Sequence, residues 1–169
     1  THAFKNDLDE AIDVMRSGNL QFSAESPVMK NLAKREAGQL MGRIVFVFGA
    51  GYFAEVARRW KDQFNENAKH WAAFESLPEA DHNLLAGLEY PAELPSKVMA
   101  LFLTGTRDQP RNAKRIDLTR NEFMMAGCNT DILSQHGESP LAQMLSLIQL
   151  GDFMSFYLAL LNGAEPTQV

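Results

Sequence analysis

The stretch IVFVFGAGYFAEVARRWKDQF, residues 44–64, decides the fold class of this chain. Its first five residues are continuously apolar and rich in β-branched and aromatic side chains, which is typical of a strand buried on both faces. Glycines follow directly, and beyond them apolar residues recur at steps of three and four, which predicts a helix. These residues are Phe53, Val56, Ala57, Trp60 and Phe64. A buried strand, a glycine turn and a helix form the unit from which parallel sheets are built.

The same unit recurs on the carboxyl side of this stretch. Apolar runs at 70–74, 97–104 and 130–134 predict three further strands, and a helical pattern follows each of them. Those helices are expected near 80–88, near 109–126 and from Ser139 onward. Four strand–helix units in succession predict an α/β fold with a three-layer, doubly wound parallel sheet of four to five strands.

Two amphipathic helices are predicted before the sheet. The first has apolar residues at helical spacing from Phe4 to Met15 and ends at Ser17-Gly18. The second begins at Ser26-Pro27, because serine is a favoured N-cap and proline suits the first helical position, and it ends near Leu40. We therefore expect linker helices over residues 1–41 that pack on an α/β domain over residues 42–169.

Composition narrows the classes of function. The chain has 169 residues, the usual length of one globular domain. Its 16 basic and 21 acidic residues give a net charge of -5, which repels a polyphosphate backbone and argues against nucleic-acid binding. Cys128 is the only cysteine, so no intrachain disulfide is possible, and the polar, acidic start does not resemble a secretory leader. These features favour a cytoplasmic protein.

The most apolar stretch, residues 141–161, is nearly long enough to cross a membrane. Gln143, Gln149 and Asp152 interrupt it at positions that would lie deep in hydrocarbon, where polar groups are costly. We interpret this stretch as a buried or interface helix and expect no contact with a membrane.

The glycine turn has two interpretations. Residues 49–54, GAGYFA, fit the loose dinucleotide pattern G-x-G-x-x-A between a strand and a helix. Glu75 lies near the position where such sites place a ribose-binding acid, so a nucleotide-binding domain that uses Gly49 and Gly51 stays open. The alternative is that the glycines serve only a tight turn and close packing, which is widespread in this fold class.

Glu66 and His82 are the candidate acid–base residues. Glu66 lies in NENAK, residues 65–69, at the end of a helix; a carboxylate there is either a general base or a solvated acid in a turn with asparagine caps. Asp81-His82-Asn83 adds a histidine at the start of the next helix. We expect it on the same carboxyl edge of the sheet, where ligands bind in open α/β folds. A purely structural histidine is the alternative.

Other polar residues also have two interpretations each. Ser139 heads the last helix, where its hydroxyl either caps free N–H groups or joins them in binding a ligand anion. Basic residues recur near helical spacing from Arg107 to Arg120, and they either bind an anion or form a solvated face. No histidine or cysteine has partners at metal-ligand spacing, so we predict no metal site.

Two long segments carry a family resemblance. Residues 42–83, GRIVFVFGAGYFAEVARRWKDQFNENAKHWAAFESLPEADHN, and residues 136–167, HGESPLAQMLSLIQLGDFMSFYLALLNGAEPT, resemble the carboxyl half of bifunctional phosphoglucose/phosphomannose isomerases. The specific parts are RWKDQFNENAK, the His82-Asn83 pair after it and the LGDFMSFYLALLNGAEPT ending. The resemblance covers essentially the whole chain, and it implies a flavodoxin-like sugar-isomerase (SIS) domain.

The resemblance also implies an activity and its residues. The family interconverts glucose 6-phosphate or mannose 6-phosphate with fructose 6-phosphate through a cis-enediol, without metal or nucleotide cofactor. By this similarity Glu66 is the base, and His82 assists opening of the sugar ring from the neighbouring subunit of a homodimer. Thr167 lines the sugar site and leaves room for both the glucose and the mannose epimer. Ser139 is kept as a candidate substrate-binding residue.

The family places further parts of its site outside this chain. Phosphate-binding serines and an enediolate-facing arginine belong to its amino-terminal SIS domain, and a catalytic lysine lies beyond the EPT segment. We therefore expect this chain alone to be inactive. Three interpretations of the chain stay open: a trimmed piece of a longer enzyme, a separately encoded second domain, or a relic that serves as a sugar-phosphate sensor. The positions at which the sequence starts and stops favour a trimmed piece. The alternative function is a non-catalytic sugar-phosphate binding or regulatory module.

Overall fold

The computed structural model describes residues 2–134 and 136–167, with side chains described from residue 4 onward. Its helices are α1 (His2–Phe22), α2 (Leu32–Leu40), α3 (Phe53–Glu66), α4 (Glu79–Asn83), α5 (Pro110–Met125) and α6 (Pro140–Asn162). Its strands are β1 (Ile44–Ala50), β2 (Ala72–Leu77), β3 (Val98–Leu103) and β4 (Asn129–Leu133). Short 3-10 turns cover Val28–Lys30, Leu85–Glu89 and Pro95–Lys97.

The four strands form one parallel sheet in the order β2-β1-β3-β4. The register places Val45 opposite Ala72 on one side and opposite Met99 on the other. Every residue of β3 is buried, as expected of a central parallel strand that helices cover on both faces. The predicted doubly wound α/β sheet is confirmed, with four strands in the part of the chain that the structure describes.

Two apolar layers separate the sheet from its helices. On one face α1, α2, α3 and α6 pack together, with Trp60, Phe64 and Leu147 in the layer beneath them. On the other face α4, α5 and two of the 3-10 turns cover a smaller cluster around Phe102, whose ring stacks on Phe48 at 4.6 Å. Each layer removes large apolar side chains from water and is the main favourable contribution to folding.

Helix α6 is the hub of the first layer. It packs against α1, α2 and α3, and it is the one helix in the described residues whose length and apolar composition would suffice to span a membrane. Of its most apolar window, 56% is buried within the protein. The Gln143 amide donates to Thr106 Oγ1 at 2.6 Å, and the Gln149 amide donates to the Met15 carbonyl at 2.9 Å, so both amide N–H groups have partners inside the fold, while the buried Gln149 Oε1 atom has none among the described residues. The helix is buried in part and exposed near its end, in agreement with the predicted buried or interface helix.

Two predicted helix boundaries were wrong. Helix α1 does not end at Ser17-Gly18 but continues to Phe22. Gly18 lies inside the helix, where the Gln149 side chain of α6 leaves no room for a Cβ. The glycine therefore serves close packing and not helix termination. Helix α2 begins after Asn31 rather than at Ser26-Pro27, since the Asn31 side chain accepts a hydrogen bond from the Lys34 N–H at 3.1 Å. A stronger cap farther along the chain displaced the predicted one.

The second strand and its helix were also misplaced. Strand β2 covers residues 72–77 rather than 70–74, because His70 lies in the preceding turn with its Nε2 atom 2.7 Å from the Arg43 carbonyl oxygen. The single helix expected near 80–88 is the short α4 followed by a 3-10 turn over Leu85–Glu89. The strand–helix order is as predicted, and only the boundaries moved.

Candidate active site

Glu66 is the last residue of α3, and its side chain is exposed. The helix runs back antiparallel to β1, so its end lies at the amino edge of the sheet. Asn65 fixes that end there, because its side-chain amide donates to the Ala72 carbonyl and its oxygen accepts from the Ala72 N–H, at 2.9 and 3.3 Å. The carboxylate of Glu66 therefore projects into solvent from a firmly held helix terminus.

His82 lies at the opposite edge of the sheet. It belongs to α4, beyond the carboxyl end of β2, and its side chain is exposed. The neighbouring Asp81 accepts a 2.5 Å hydrogen bond from the Thr119 hydroxyl and so ties α4 to α5. Our expectation that Glu66 and His82 share the carboxyl edge was wrong, because a helix that follows a parallel strand returns its end to the amino edge.

The turn after Glu66 is closed by a backbone hydrogen bond, and a lysine side chain in the turn binds back to the end of the helix. The His70 N–H donates to the Phe64 carbonyl at 3.0 Å, and between them Lys69 has a left-handed backbone with a φ of 49°. The Lys69 ammonium donates to the Glu66 carbonyl oxygen at 2.6 Å. A cation at this position complements the negative end of the helix dipole.

Thr167 lies at the same edge as Glu66. Helix α6 ends there, and its Asn162 amide donates to the Ala68 carbonyl at 3.1 Å, which joins the end of α6 to the turn after α3. Thr167 donates to the Glu165 carboxylate from its hydroxyl at 2.6 Å and from its N–H at 3.2 Å. These hydrogen bonds lower the pKa of Glu165, and the positive charge of Lys69 lowers it further.

Ser139 lies at the carboxyl edge, and its polar groups are engaged within the protein. Its hydroxyl accepts from the Ala142 N–H at 3.2 Å and caps α6. The Glu10 carboxylate of α1 accepts the N–H groups of Glu138 and Ser139 at 2.6 and 3.1 Å. Those bonds lower the pKa of Glu10, and the charge of Arg107 adds to the effect. The capping interpretation of Ser139 is confirmed, while substrate binding by Ser139 stays a prediction.

The glycine turn also lies at the carboxyl edge, where its geometry fits close packing. A Cβ at Gly49 would overlap the backbone of Phe53, and Gly51 has a φ of 57°, which favours glycine. The Tyr52 hydroxyl donates to the Gln143 side chain at 3.2 Å, which joins the turn to α6. Both glycines therefore have a structural reason that requires no nucleotide.

Glu75, the candidate ribose-binding acid, does not stand at the end of its strand. Glu75 lies within β2 rather than at its end, and burial raises the pKa of its carboxyl group. The described residues contain no group of three or more His, Cys, Asp or Glu side chains able to hold a metal ion. Along α5, Arg120 donates to the Thr130 hydroxyl at 3.1 Å, so part of the basic stretch serves internal contacts.

Sequence reasoning missed the parts played by Lys69 and Glu10. Lys69 stands in the quoted NENAK segment, but no sequence pattern distinguishes a lysine with a left-handed backbone from a solvated one. Glu10 looked like one of several acids on the polar face of α1, and its contact with Glu138 joins residues 128 positions apart. Only the tertiary structure brings such residues together.

Comparison with known proteins identifies relatives of the chain. Residues 29–169 match the family model of the bacterial phosphoglucose isomerase C-terminal SIS domain. A bifunctional phosphoglucose/phosphomannose isomerase from Caldicellulosiruptor bescii is 38% identical over 96% of this chain and 48% of its own length. The isomerase of the same name from Aquifex aeolicus is 36% identical over 96% of this chain and 49% of its own. The chain thus spans about half the length of these relatives.

Solved structures share the fold. A glucose-6-phosphate isomerase-like protein from Thermus thermophilus superposes with a TM-score of 0.83 at 22% identity, over 98% of this chain and 55% of that one. The C-terminal domain of glucosamine-fructose-6-phosphate aminotransferase from Francisella tularensis gives a TM-score of 0.70 at 11% identity, over 99% and 47% of the two chains. At these identities the likeness shows the sugar-isomerase type of fold alone.

Proposed function

The chain belongs to the bacterial phosphoglucose isomerase C-terminal SIS domain family, and from this membership we propose that its gene product interconverts aldose and ketose forms of hexose 6-phosphates. The substrates proposed are glucose 6-phosphate and mannose 6-phosphate, with fructose 6-phosphate as the common ketose. The curated relatives named bifunctional phosphoglucose/phosphomannose isomerase support this choice. Acting as the C-terminal half of a two-domain enzyme, the chain supplies the base.

The single observation that carries the proposal is that Glu66 and Thr167 lie at one edge of the sheet. Glu66 offers an exposed carboxylate at the end of α3, and the segment that contains Thr167 follows the end of α6 beside the same turn. A base and a residue that lines the sugar must approach one substrate together. The hydrogen bond between Asn162 and Ala68 keeps these two segments adjacent.

The proposed chemistry is proton transfer without change of oxidation state in the protein. The Glu66 carboxylate takes the proton from C2 of the open-chain aldose, which is acidic because it lies next to the C1 carbonyl. A cis-enediol forms as the carbonyl oxygen gains a proton. Glu66 then returns its proton to C1, and the 2-hydroxyl loses its own to become the ketone. General base catalysis of this kind contributes roughly 10²- to 10⁴-fold to the rate.

His82 requires a second chain in this proposal. Strand β2 separates it from Glu66 of its own chain, and six residues at about 3.3 Å each span roughly 20 Å. Ring opening at C1 needs a proton donor within hydrogen-bond reach of the ring oxygen. We therefore assign His82 to the site of the neighbouring subunit in a homodimer, where it meets the Glu66 of that subunit.

Other parts of the site are assigned outside the chain. An enediolate needs a positive group and the phosphate needs hydrogen-bond donors, and the half of the relatives' length that this chain does not span is the proposed source of both. Ser139 caps α6 at the far edge, so its contact with substrate stays a separate prediction.

Conversion of fructose 6-phosphate to the two aldose phosphates by the full-length gene product tests the proposal. Glu66→Gln keeps the size and removes the base, and we expect kcat to fall by about 10²-fold or more. Glu55→Gln is the matched control, because Glu55 is an exposed acid in the first turn of the same helix. Binding of sugar phosphates without any turnover by the unmodified protein would instead support the non-catalytic module.

A further inference from the structure

Lys69 has an unusual backbone for its residue type. In the described residues 2–134 and 136–167 it is the only non-glycine residue with a positive φ, at 49°. This left-handed conformation is disfavoured for residues with a Cβ, and glycine or asparagine usually occupies it after a helix. A glycine would close the turn between Phe64 and His70 with less strain.

Closure of the turn does not depend on that side chain. The His70 N–H already bonds to Phe64, and the His70 ring lies 2.7 Å from the Arg43 carbonyl oxygen on one side and accepts from the Asn162 amide at 3.2 Å on the other. The same amide donates to Ala68. These contacts fix the turn against β1 and α6 without any atom of the Lys69 side chain.

The side chain of Lys69 instead contacts the residue that carries the candidate base. Its ammonium donates to the Glu66 carbonyl at 2.6 Å, so it holds the peptide unit that carries the candidate base. It is also close enough to Glu165 for its charge to lower the pKa of that carboxyl group, alongside the stronger effect of the hydrogen bonds from Thr167. Lys69 thus binds the backbone of Glu66 directly and acts on Glu165 through its charge.

We propose that Lys69 is a positioning residue for the proposed isomerase: its hydrogen bond to the Glu66 carbonyl orients Glu66 at the end of α3. This inference rests on the proposed function. Strained backbone is commonly kept where a site needs a fixed geometry. A base displaced by about 1 Å from its proton can lose two orders of magnitude in rate.

The strained backbone provides a sharp test in the full-length gene product. Lys69→Gly relieves the left-handed strain, so the variant is expected to unfold at the same or a higher temperature than the unmodified protein. If Lys69 positions Glu66, kcat for fructose 6-phosphate falls by about tenfold or more while KM stays within about twofold. Lys69→Arg keeps a cation of similar reach and is expected to recover most of the lost kcat.

Lys30→Gln is the charge control, since Lys30 is exposed in the 3-10 turn before α2 and has no part in the candidate site, and the kcat of this variant is expected to be unchanged. A Lys69→Gly variant that keeps the unmodified kcat, in a protein that Glu66→Gln inactivates, overturns this inference and leaves the proposed function intact. An unmodified protein without isomerase activity overturns both. Should Lys69→Gly fail to fold, Lys69→Asn gives the same comparison, because asparagine tolerates the left-handed region.

Discussion

Strand β2 separates Glu66 from His82, and the two side chains lie at opposite edges of the sheet in one chain. No rotamer change within a chain brings them to one substrate. If both take part in one reaction, as proposed, each active site combines residues from two chains. The oligomer is then part of the catalytic mechanism rather than only a source of stability.

Mixing two inactive variants tests this shared site. Glu66→Gln and His82→Gln are each expected to be inactive alone, because every site in either homodimer lacks one residue. A mixed dimer has one site with both residues intact and one with neither. Random exchange of equal amounts therefore restores about a quarter of the unmodified activity, since half the dimers are mixed and half of their sites work. Mixtures that stay inactive after verified subunit exchange would show that His82 serves its own chain.

Ser139→Ala separates the capping role from substrate binding. Loss of the hydroxyl that accepts from Ala142 is expected to lower the free energy of unfolding by about 1 kcal/mol. If capping is the whole role of Ser139, KM for fructose 6-phosphate stays within about twofold of the unmodified value. Thermal unfolding and steady-state kinetics on the same preparation give both numbers. A large rise in KM at unchanged stability would support Ser139 as a substrate-binding residue.

The sheet could be predicted because each of its determinants is local. The apolar run before Gly49 and the periodic apolar residues after it specify a strand, a turn and a helix without knowledge of the rest of the chain. Helix ends were harder, since Ser26 and Asn31 are both acceptable caps and only the tertiary contact from Asn31 to the Ser23 carbonyl favours the second. Boundary errors of this kind arise from competition between nearby caps.

The candidate site was predicted residue by residue but not as a geometry. Glu66 was a candidate from its place at a helix end and Thr167 from the family resemblance, and the structure places both at one edge of the sheet. The wrong edge assigned to Glu66 could have been avoided, because a helix between two parallel strands must end where the next strand begins. The backbone of Lys69 and the contact of Glu10 with α6 could not have been read from sequence, since both depend on the folded chain.

Gly151→Ala tests how tightly α6 packs on α3. A Cβ at this position would overlap the indole ring of Trp60, which is fully buried and donates to the Leu147 carbonyl at 2.9 Å. The rigid ring has no room to move, so we expect a loss of about 1–3 kcal/mol in the free energy of unfolding. Chemical denaturation followed by tryptophan fluorescence measures it.

Gly38→Ala is the matched control for that substitution. Gly38 is also inside a helix, α2, but a Cβ there meets nothing within 4 Å. Because alanine restricts the unfolded chain and suits a helix, stability is expected to rise by about 0.5–1 kcal/mol. Equal losses for both variants would contradict the packing account and would indicate a general intolerance of helix substitutions.

Glu36 makes stability depend on pH near neutrality. Burial raises the pKa of its carboxyl group to about 7, helped by the charge of Asp131 and a hydrogen bond with it. The native state therefore keeps a proton that the unfolded chain releases at lower pH. The stabilising effect of this retained proton is complete below the ordinary carboxyl pKa of about 4.5 and is lost as pH rises through the native pKa of about 7.

Glu36→Gln removes this titration while it keeps the shape of the side chain. Between pH 5 and pH 8 the unmodified protein is expected to lose about 2 kcal/mol that the variant does not lose. Denaturant midpoints measured across that range give the difference. Glu25→Gln is a suitable control, because Glu25 is exposed and the pKa of its carboxyl group is lowered by its own N–H and by Ser23. Parallel curves for Glu36→Gln and the unmodified protein would contradict the prediction.

The most direct test of Glu66 as the base is hydrogen exchange between solvent and sugar. The full-length gene product is equilibrated with fructose 6-phosphate in D2O, and deuterium at C1 of the ketose and C2 of the aldoses is followed by mass spectrometry or NMR. A carboxylate that carries the proton exchanges it with solvent during repeated turnovers. We predict that the unmodified protein and Glu55→Gln incorporate deuterium and that Glu66→Gln does not. Incorporation by Glu66→Gln at the unmodified rate would contradict the account.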